Sequence, residues 1–132
     1  TQKWTLFPYT TLFRSHGFWC VTLADGTPVA LVMFKPVPFS QDSPRAQEEQ
    51  DVEIGWRQHP DHGGHGYVTE AAARVLEHAW ASGLQRVVAV TDPENHASMG
   101  VCRRLGMVDA GPSDDYYDET TRLFVATPEG SR

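Results

Sequence analysis

EIGWRQHPDHGGHGYVTEA, residues Glu53 to Ala71, is the stretch on which the fold turns. With Asp51 and Val52 ahead of it, DVEIGWRQ puts Val52, Ile54 and Trp56 on one side and Glu53 and Gly55 on the other, the two-residue period of a half-buried strand. Pro60, Gly63, Gly64 and Gly66 form a turn. Val68, Ala72, Val75, Leu76 and Ala79 then recur at helical spacing until Ser82-Gly83 stops them. A strand therefore runs into a glycine-rich turn that opens a long helix. Unpaired N–H groups and a partial positive charge at a helix N-terminus attract anions. Glycines let the backbone approach phosphate oxygens without a Cβ in the way, and they permit positive φ. The passage predicts a pyrophosphate cradle for a phosphate-containing cofactor.

Upstream, FWCVTLA (Phe18 to Ala24), the turn signal Asp25-Gly26 and PVALVMF (Pro28 to Phe34) predict a β-hairpin. Lys35 to Gln50 carries three prolines and a polar second half, and reads as a loop. Downstream, RVVAVT (Arg86 to Thr91) is a continuous apolar run suited to a strand covered on both faces. A short helix follows from His96 to Leu105, with Asn95 as its N-cap and Gly106 as its C-terminal glycine. Asp109 to Glu119 reads as polar loop and Thr121 to Thr127 as a last strand. The expected order is β-β-β-α-β-α-β in one α/β domain without internal repeats.

With 132 residues, 40% of them apolar, the chain can build one core. Eleven Lys and Arg against seventeen Asp and Glu leave a net charge of −6, which gives binding to a nucleic-acid backbone no support. An acidic surface is compatible with a cationic acceptor such as an amine, and equally with plain solubility. Cys20 and Cys102 are far apart and without CxxC spacing, so neither a disulfide framework nor a cysteine zinc site is indicated. No apolar run approaches the ~20 residues of a membrane span, and no signal peptide is visible, so a cytoplasmic protein is expected. Oligomeric state is left open.

Thr5 to Ser15, TLFPYTTLFRS, resembles the in-frame translation of a short-read sequencing-library adapter. Residues 1–15 are therefore expected to be a non-native segment and residues 16–132 a partial domain. Phe7, Tyr9, Leu12 and Phe13 could pack only without design, and their removal is expected to cost little stability.

The passage from Glu53 resembles the coenzyme A motif of GNAT-superfamily N-acetyltransferases, in the form typical of the ribosomal-protein N-terminal acetyltransferase branch. There a strand "xEIGYxLxP" leads to "GxGYATEA". Here Val52 to Trp56 and Pro60 precede Gly64-His65-Gly66-Tyr67-Val68-Thr69-Glu70-Ala71. The second family mark, close to "NxxSxxxxxKxGF", is matched by Asn95, Ser98, Arg104, Gly106 and Met107. The resemblance covers Asp51 to Met107. It implies a mixed, mostly antiparallel sheet flanked by two helices, with the family's N-terminal strand and helices expected to be missing ahead of His16.

The resemblance further implies acetyl-coenzyme A as co-substrate, no metal, and transfer of acetyl to a primary amine, either a protein N-terminus or a small molecule, by direct attack. Glu53 is the expected base and Ser98 the expected proton donor to the thiolate. Trp56, Arg57 and Gln58 would hold the pantetheine arm through backbone N–H groups, with Asn95 bonding it further on. His62, Gly63, Gly64, His65, Gly66 and Tyr67 would hold the pyrophosphate. Asp61 and Gly63 stand where the family commonly has Gln or Arg, so coenzyme A affinity is expected to be weak. Cys102 stands where many family members place the proton-donating tyrosine.

Other readings exist for each feature. Glu53 reads also as a surface carboxylate, Asn95 as a plain N-cap and Ser98 as a first-turn serine. Gly64-His65-Gly66 could open a dinucleotide turn, although Thr69 replaces its third glycine. His59, His62 and His65 could be read as metal ligands, although they straddle Pro60 and two glycines rather than sharing a helix face. The alternative for the whole chain is a noncatalytic remnant that at most binds coenzyme A.

Overall fold

In this computed structural model the described residues are 2–7, 17–37, 39–43 and 51–129, the first stretch by its backbone. The chain divides into two compact units, Thr1–Lys35 with Ile54–Gly83, and Pro36–Glu53 with Leu84–Arg132.

The first unit contains β1 (Gln2–Phe7), β2 (Gly17–Leu23), most of β3 (Pro28–Val37), the later residues of β4 (Asp51–Gln58) and helix α1 (Tyr67–Ala81), with strands in the order β1-β2-β3-β4. The β2–β3 hairpin turns at Asp25-Gly26, where Gly26 has φ +92° and Asp25 Oδ1 accepts from the Thr27 N–H at 2.9 Å. α1 buries Val68, Ala71, Ala72, Val75, Leu76 and Ala79, a stripe at helical spacing. Its His78 ring meets the edge of Trp19 on β2, with centroids 5.9 Å apart. Val21, Val29, Val32 and Phe34 are fully buried on the strands of the same unit.

The second unit holds the beginning of β4, then β5 (Val87–Thr91), α2 (His96–Arg104), β6 (Val108–Ser113) and β7 (Thr121–Ala126), in the strand order β4-β5-β7-β6. β4 and β5 run parallel, with Glu53 opposite Val88, while β7 pairs antiparallel with both β5 and β6. β5 is buried at four of its five residues, as its unbroken apolar run requires. Val37, Val88, Tyr116 and Leu123 form a core cluster with Phe39, Val90 and Val125 against it. The mixed, mostly antiparallel sheet with two helices is the architecture the sequence predicts.

Three elements depart from that reading. β3 runs on to Val37, past Phe34, because Pro36 tolerates the extended backbone of a strand end. β6 occupies the first part of a stretch read as polar loop. Its exposed or half-exposed residues show no apolar alternation, and a bulge between Asp109 and Gly111 breaks its period, with Gly111 at φ +84°. Arg122 on β7 fixes it instead, its Nε and Nη2 donating to the two carboxylate oxygens of Asp109 at 2.8 and 2.7 Å. That fork holds the Asp109 carboxyl below its ordinary pKa. Its contribution is therefore present above the unfolded carboxylate range and fades as pH falls through the folded value.

The third departure is β1. No element was expected ahead of Phe18, yet Gln2 to Phe7 pair antiparallel with Leu23 to Phe18 in unbroken register. Trp4, Thr5 and Phe7 are β-formers whatever their origin, and β2 would otherwise present a row of unpaired N–H and C=O groups. Tyr9, Leu12 and Phe13 lie outside the described residues. With this ladder in place, deleting residues 1–15 is expected to lower the thermal midpoint by roughly 5 °C, corresponding to ~1–2 kcal/mol. An unchanged midpoint by calorimetry would show the ladder to be energetically idle.

Candidate active site

The turn between β4 and α1 is built by local bonds. Pro60–His62 makes one 3₁₀ turn, capped by His59, whose Nδ1 accepts from the Asp61 N–H at 3.1 Å. Gln58 Nε2 donates to the carbonyls of Val29 at 2.8 Å and His62 at 3.0 Å, tying the turn to β3. The His59 N–H also donates to Val29 O at 2.9 Å. The His59 and His62 rings meet edge to face, and His65 stacks on Tyr67 with centroids 5.1 Å apart. These ring contacts give the three histidines structural partners, and among the described residues no cluster of metal-ligating side chains occurs.

Gly64 and Gly66 adopt φ +82° and +73°, so glycine is required there by backbone sterics. Gly66 caps α1 without any side-chain acceptor. A Cβ built on Gly63, Gly64 or Gly66 meets nothing within 4 Å, so open space lies before the helix mouth. Gly63, in contrast, has an ordinary φ of −71°. Trp56, Gln58, His62 and Tyr67 are half-buried around this turn, while Arg57, His65 and the glycines are exposed.

In the second unit, Asn95 Oδ1 accepts from the Ser98 N–H at 3.1 Å and so caps α2. Asn95 is exposed and Ser98 half-buried. Cys102 is fully buried, and burial pushes its thiol up to about 12, so it stands as a small core residue.

Glu53 departs from the expected strand alternation. It is only 2% exposed, and the adjacent Ile54 is buried as well, so β4 is covered on both faces at this point. The surface-carboxylate alternative is thereby excluded. One partner that supports this burial is Tyr117, whose hydroxyl donates a hydrogen bond to Glu53 Oε1. Burial first, and then the bond to Glu53, raise the Tyr117 phenol above its ordinary pKa. Two residues earlier on β4, Asp51 Oδ2 accepts from the Tyr116 hydroxyl at 2.5 Å, and Asp51 Oδ1 from Arg86 Nε at 3.3 Å.

Tyr117 was invisible in the sequence, lying in a polar stretch without a motif. The one available signal was two adjacent tyrosines among aspartates, DDYYD from Asp114 to Asp118. Tyr117 and Asp118 both have positive φ, +59° and +55°, a strain of about 1 kcal/mol or more per non-glycine residue. The Asp118 N–H donates to Ser40 Oγ at 2.9 Å and its Oδ1 accepts from the Gln41 N–H at 2.9 Å, which holds the loop in that shape. A cavity of about 610 Å³ beside this loop is lined by Asp42, Ser43, Pro112, Asp114, Asp115 and neighbours, and none of the residues anticipated from sequence lines it.

A parallel strand pair in a mixed, mostly antiparallel sheet, with a glycine turn opening a helix, defines an α/β protein. Residues 2–108 match the model of the acetyltransferase (GNAT) domain, and the chain belongs to the GNAT acetyltransferase family. Over 60 residues, 45% of this chain, it is 38% identical to the uncharacterized N-acetyltransferase YnaD of Bacillus subtilis, covering 35% of that protein. RimJ of Mycobacterium smegmatis in complex with CoA-disulfide superposes with a TM-score of 0.66 at 25% identity, over 86% of this chain and 53% of RimJ. The aminoglycoside acetyltransferase AAC(6')-Ib in complex with ribostamycin and coenzyme A gives a TM-score of 0.71 at 17% identity, over 88% of this chain and 66% of that one, a likeness of fold.

The glycine geometries separate by substitution. Gly64→Ala and Gly66→Ala are each expected to lose about 1 kcal/mol of stability because of their positive φ, whereas Gly63→Ala is expected to be neutral. Chemical denaturation of the three variants checks this, and equal losses at all three positions would contradict it.

Proposed function

We propose that the chain is an acetyl-coenzyme A dependent N-acetyltransferase that carries the acetyl group to a primary amine by direct attack. Family membership supports the reaction class. The observation that carries the reading in this chain is the turn at Gly63 to Gly66, open to solvent, left-handed at two positions and without a side-chain cap at the mouth of α1. Such a turn suits a pyrophosphate, which accepts backbone N–H bonds and needs space that a Cβ would fill. Both RimJ and AAC(6')-Ib, of similar fold, hold coenzyme A or its disulfide.

On this reading His62, Gly63, Gly64, His65, Gly66 and Tyr67 hold the pyrophosphate. Trp56, Arg57 and Gln58 offer backbone N–H groups to the pantetheine arm and the oxyanion, and Asn95 bonds the arm farther on. When bound, the co-substrate supplies the activated thioester. Glu53 takes the proton released by the acceptor's ammonium, and Ser98 passes a proton to the departing sulfur. A C–N bond forms as the C–S bond breaks. The acceptor class is a protein N-terminus or a small-molecule amine, with the ribosomal-protein N-terminal acetyltransferase branch favoured by the motif spelling from Glu53 to Ala71. The net charge of −6 suits a cationic acceptor in the cytoplasm better than a nucleic acid, and no described helix is long and apolar enough to cross a membrane.

Gly63→Ala, which carries no backbone strain, is expected to weaken coenzyme A binding about tenfold in calorimetric titration, since its methyl enters the space offered to phosphate. Asp61→Gln, which removes an exposed negative charge from the same turn, is expected to tighten it by about twofold to fivefold. Unchanged affinity in both variants would remove the turn from the binding site. Glu53→Gln keeps the shape and an acceptor for Tyr117, so thiol release should fall by about 10²-fold with coenzyme A affinity preserved. Full turnover in that variant would reassign Glu53 to structure.

A further inference from the structure

A base that is only 2% exposed cannot easily be met by an ammonium arriving from solution, yet Glu53 is held by a hydroxyl on a residue that is 39% exposed, Tyr117. The neighbouring pair provides the contrast. Tyr116 is fully buried, stacks on Phe39 with centroids 5.3 Å apart, and donates to an Asp51 that Arg86 also holds. Consecutive tyrosines thus serve carboxylates two residues apart on one strand, and of the two tyrosines only Tyr117 is exposed. Side chains of consecutive residues in extended backbone point to opposite faces. The left-handed backbone at Tyr117 and Asp118 is what accompanies both rings turning toward β4.

Resting on the acetyl-transfer reading above, we infer that Tyr117 is a further catalytic residue, the outer member of a two-step proton relay whose inner member is Glu53. The acceptor's ammonium gives a proton to Tyr117 Oη as the Tyr117 hydroxyl gives its own to Glu53 Oε1. One N–H and one O–H bond break, and an O–H bond forms at each oxygen. The tyrosine ends neutral, the carboxylate ends as an acid, and the nitrogen lone pair is freed to attack. The phenol is suited to relay rather than to act as the base itself, because burial and its bond to Glu53 keep it protonated. A direct Glu53–amine contact would leave the exposed tyrosine and its strained backbone without a chemical role.

The test uses the full chain with acetyl-coenzyme A, a peptide bearing a free N-terminal alanine and spermidine as acceptor probes, and thiol release as the readout. Tyr117→Phe is expected to lower kcat by about 10²-fold at temperatures well below its unfolding midpoint, with coenzyme A affinity near the parent value and the midpoint lowered only as far as in Tyr116→Phe. The dependence of rate on deuterium fraction should bow in the parent, where two protons move together, and become linear in the variant. Tyr116→Phe is expected to lower the midpoint and leave kcat within about twofold. Parent-like kcat in Tyr117→Phe overturns the relay, as does a loss of rate that merely tracks a loss of stability in both variants. No thiol release by the parent with either amine overturns acetyl transfer to these amines, and the relay with it. Active parent and impaired Glu53→Gln with an unimpaired Tyr117→Phe leaves the first reading standing and removes only the second.

Discussion

Two carboxylates on β4 set the terms for the second unit. Asp51 and Glu53 point from a strand into protein, and a carboxylate leaves water only when hydrogen bonds replace the ones it gives up. Those bonds come from Tyr116, Tyr117 and Arg86. Meeting them draws the chain between β6 and β7 across to β4, and the same loop is fixed on its other side by Ser40, Gln41 and Ser43. Tyr116 at the centre then becomes part of the core, against Val37, Val88 and Leu123. Core packing and carboxylate pairing are here one arrangement.

The first unit answers to a different constraint. The chain must leave β4 and begin α1 within a few residues, and the backbone does so through left-handed conformations at Gly64 and Gly66. Within the turn His59 caps its own 3₁₀ turn and Gln58 reaches the His62 carbonyl. Gln58 and His59 also reach back to the Val29 carbonyl on β3, which anchors the start of the turn. Gly66 contributes no side-chain cap to the mouth of α1.

This difference explains what could be read from the sequence. Glycines at Gly63, Gly64 and Gly66, the apolar stripe from Val68 to Ala79, and the Asn95 cap of α2 each act within a few residues, so their consequences were legible one by one. The β5 run was legible for the same reason, since a strand buried on both faces is apolar at every position. β6 was not, because its place depends on Arg122 reaching Asp109 thirteen residues away rather than on any periodicity of its own. The setting of Glu53 was hidden more deeply. Its alternation with Val52 and Ile54 pointed to a half-buried strand, and a partner that supports its full burial lies 64 residues later.

The strained loop and the buried carboxylate also stabilise one another. Left-handed backbone at Tyr117 and Asp118 is unfavourable for side chains of their size, by an amount comparable to one good hydrogen bond each. Asp118 recovers it through Ser40 and Gln41. Tyr117 recovers it through Glu53 itself. The shape of the loop and the burial of the carboxylate therefore share one hydrogen bond, and neither element is set by its own local sequence.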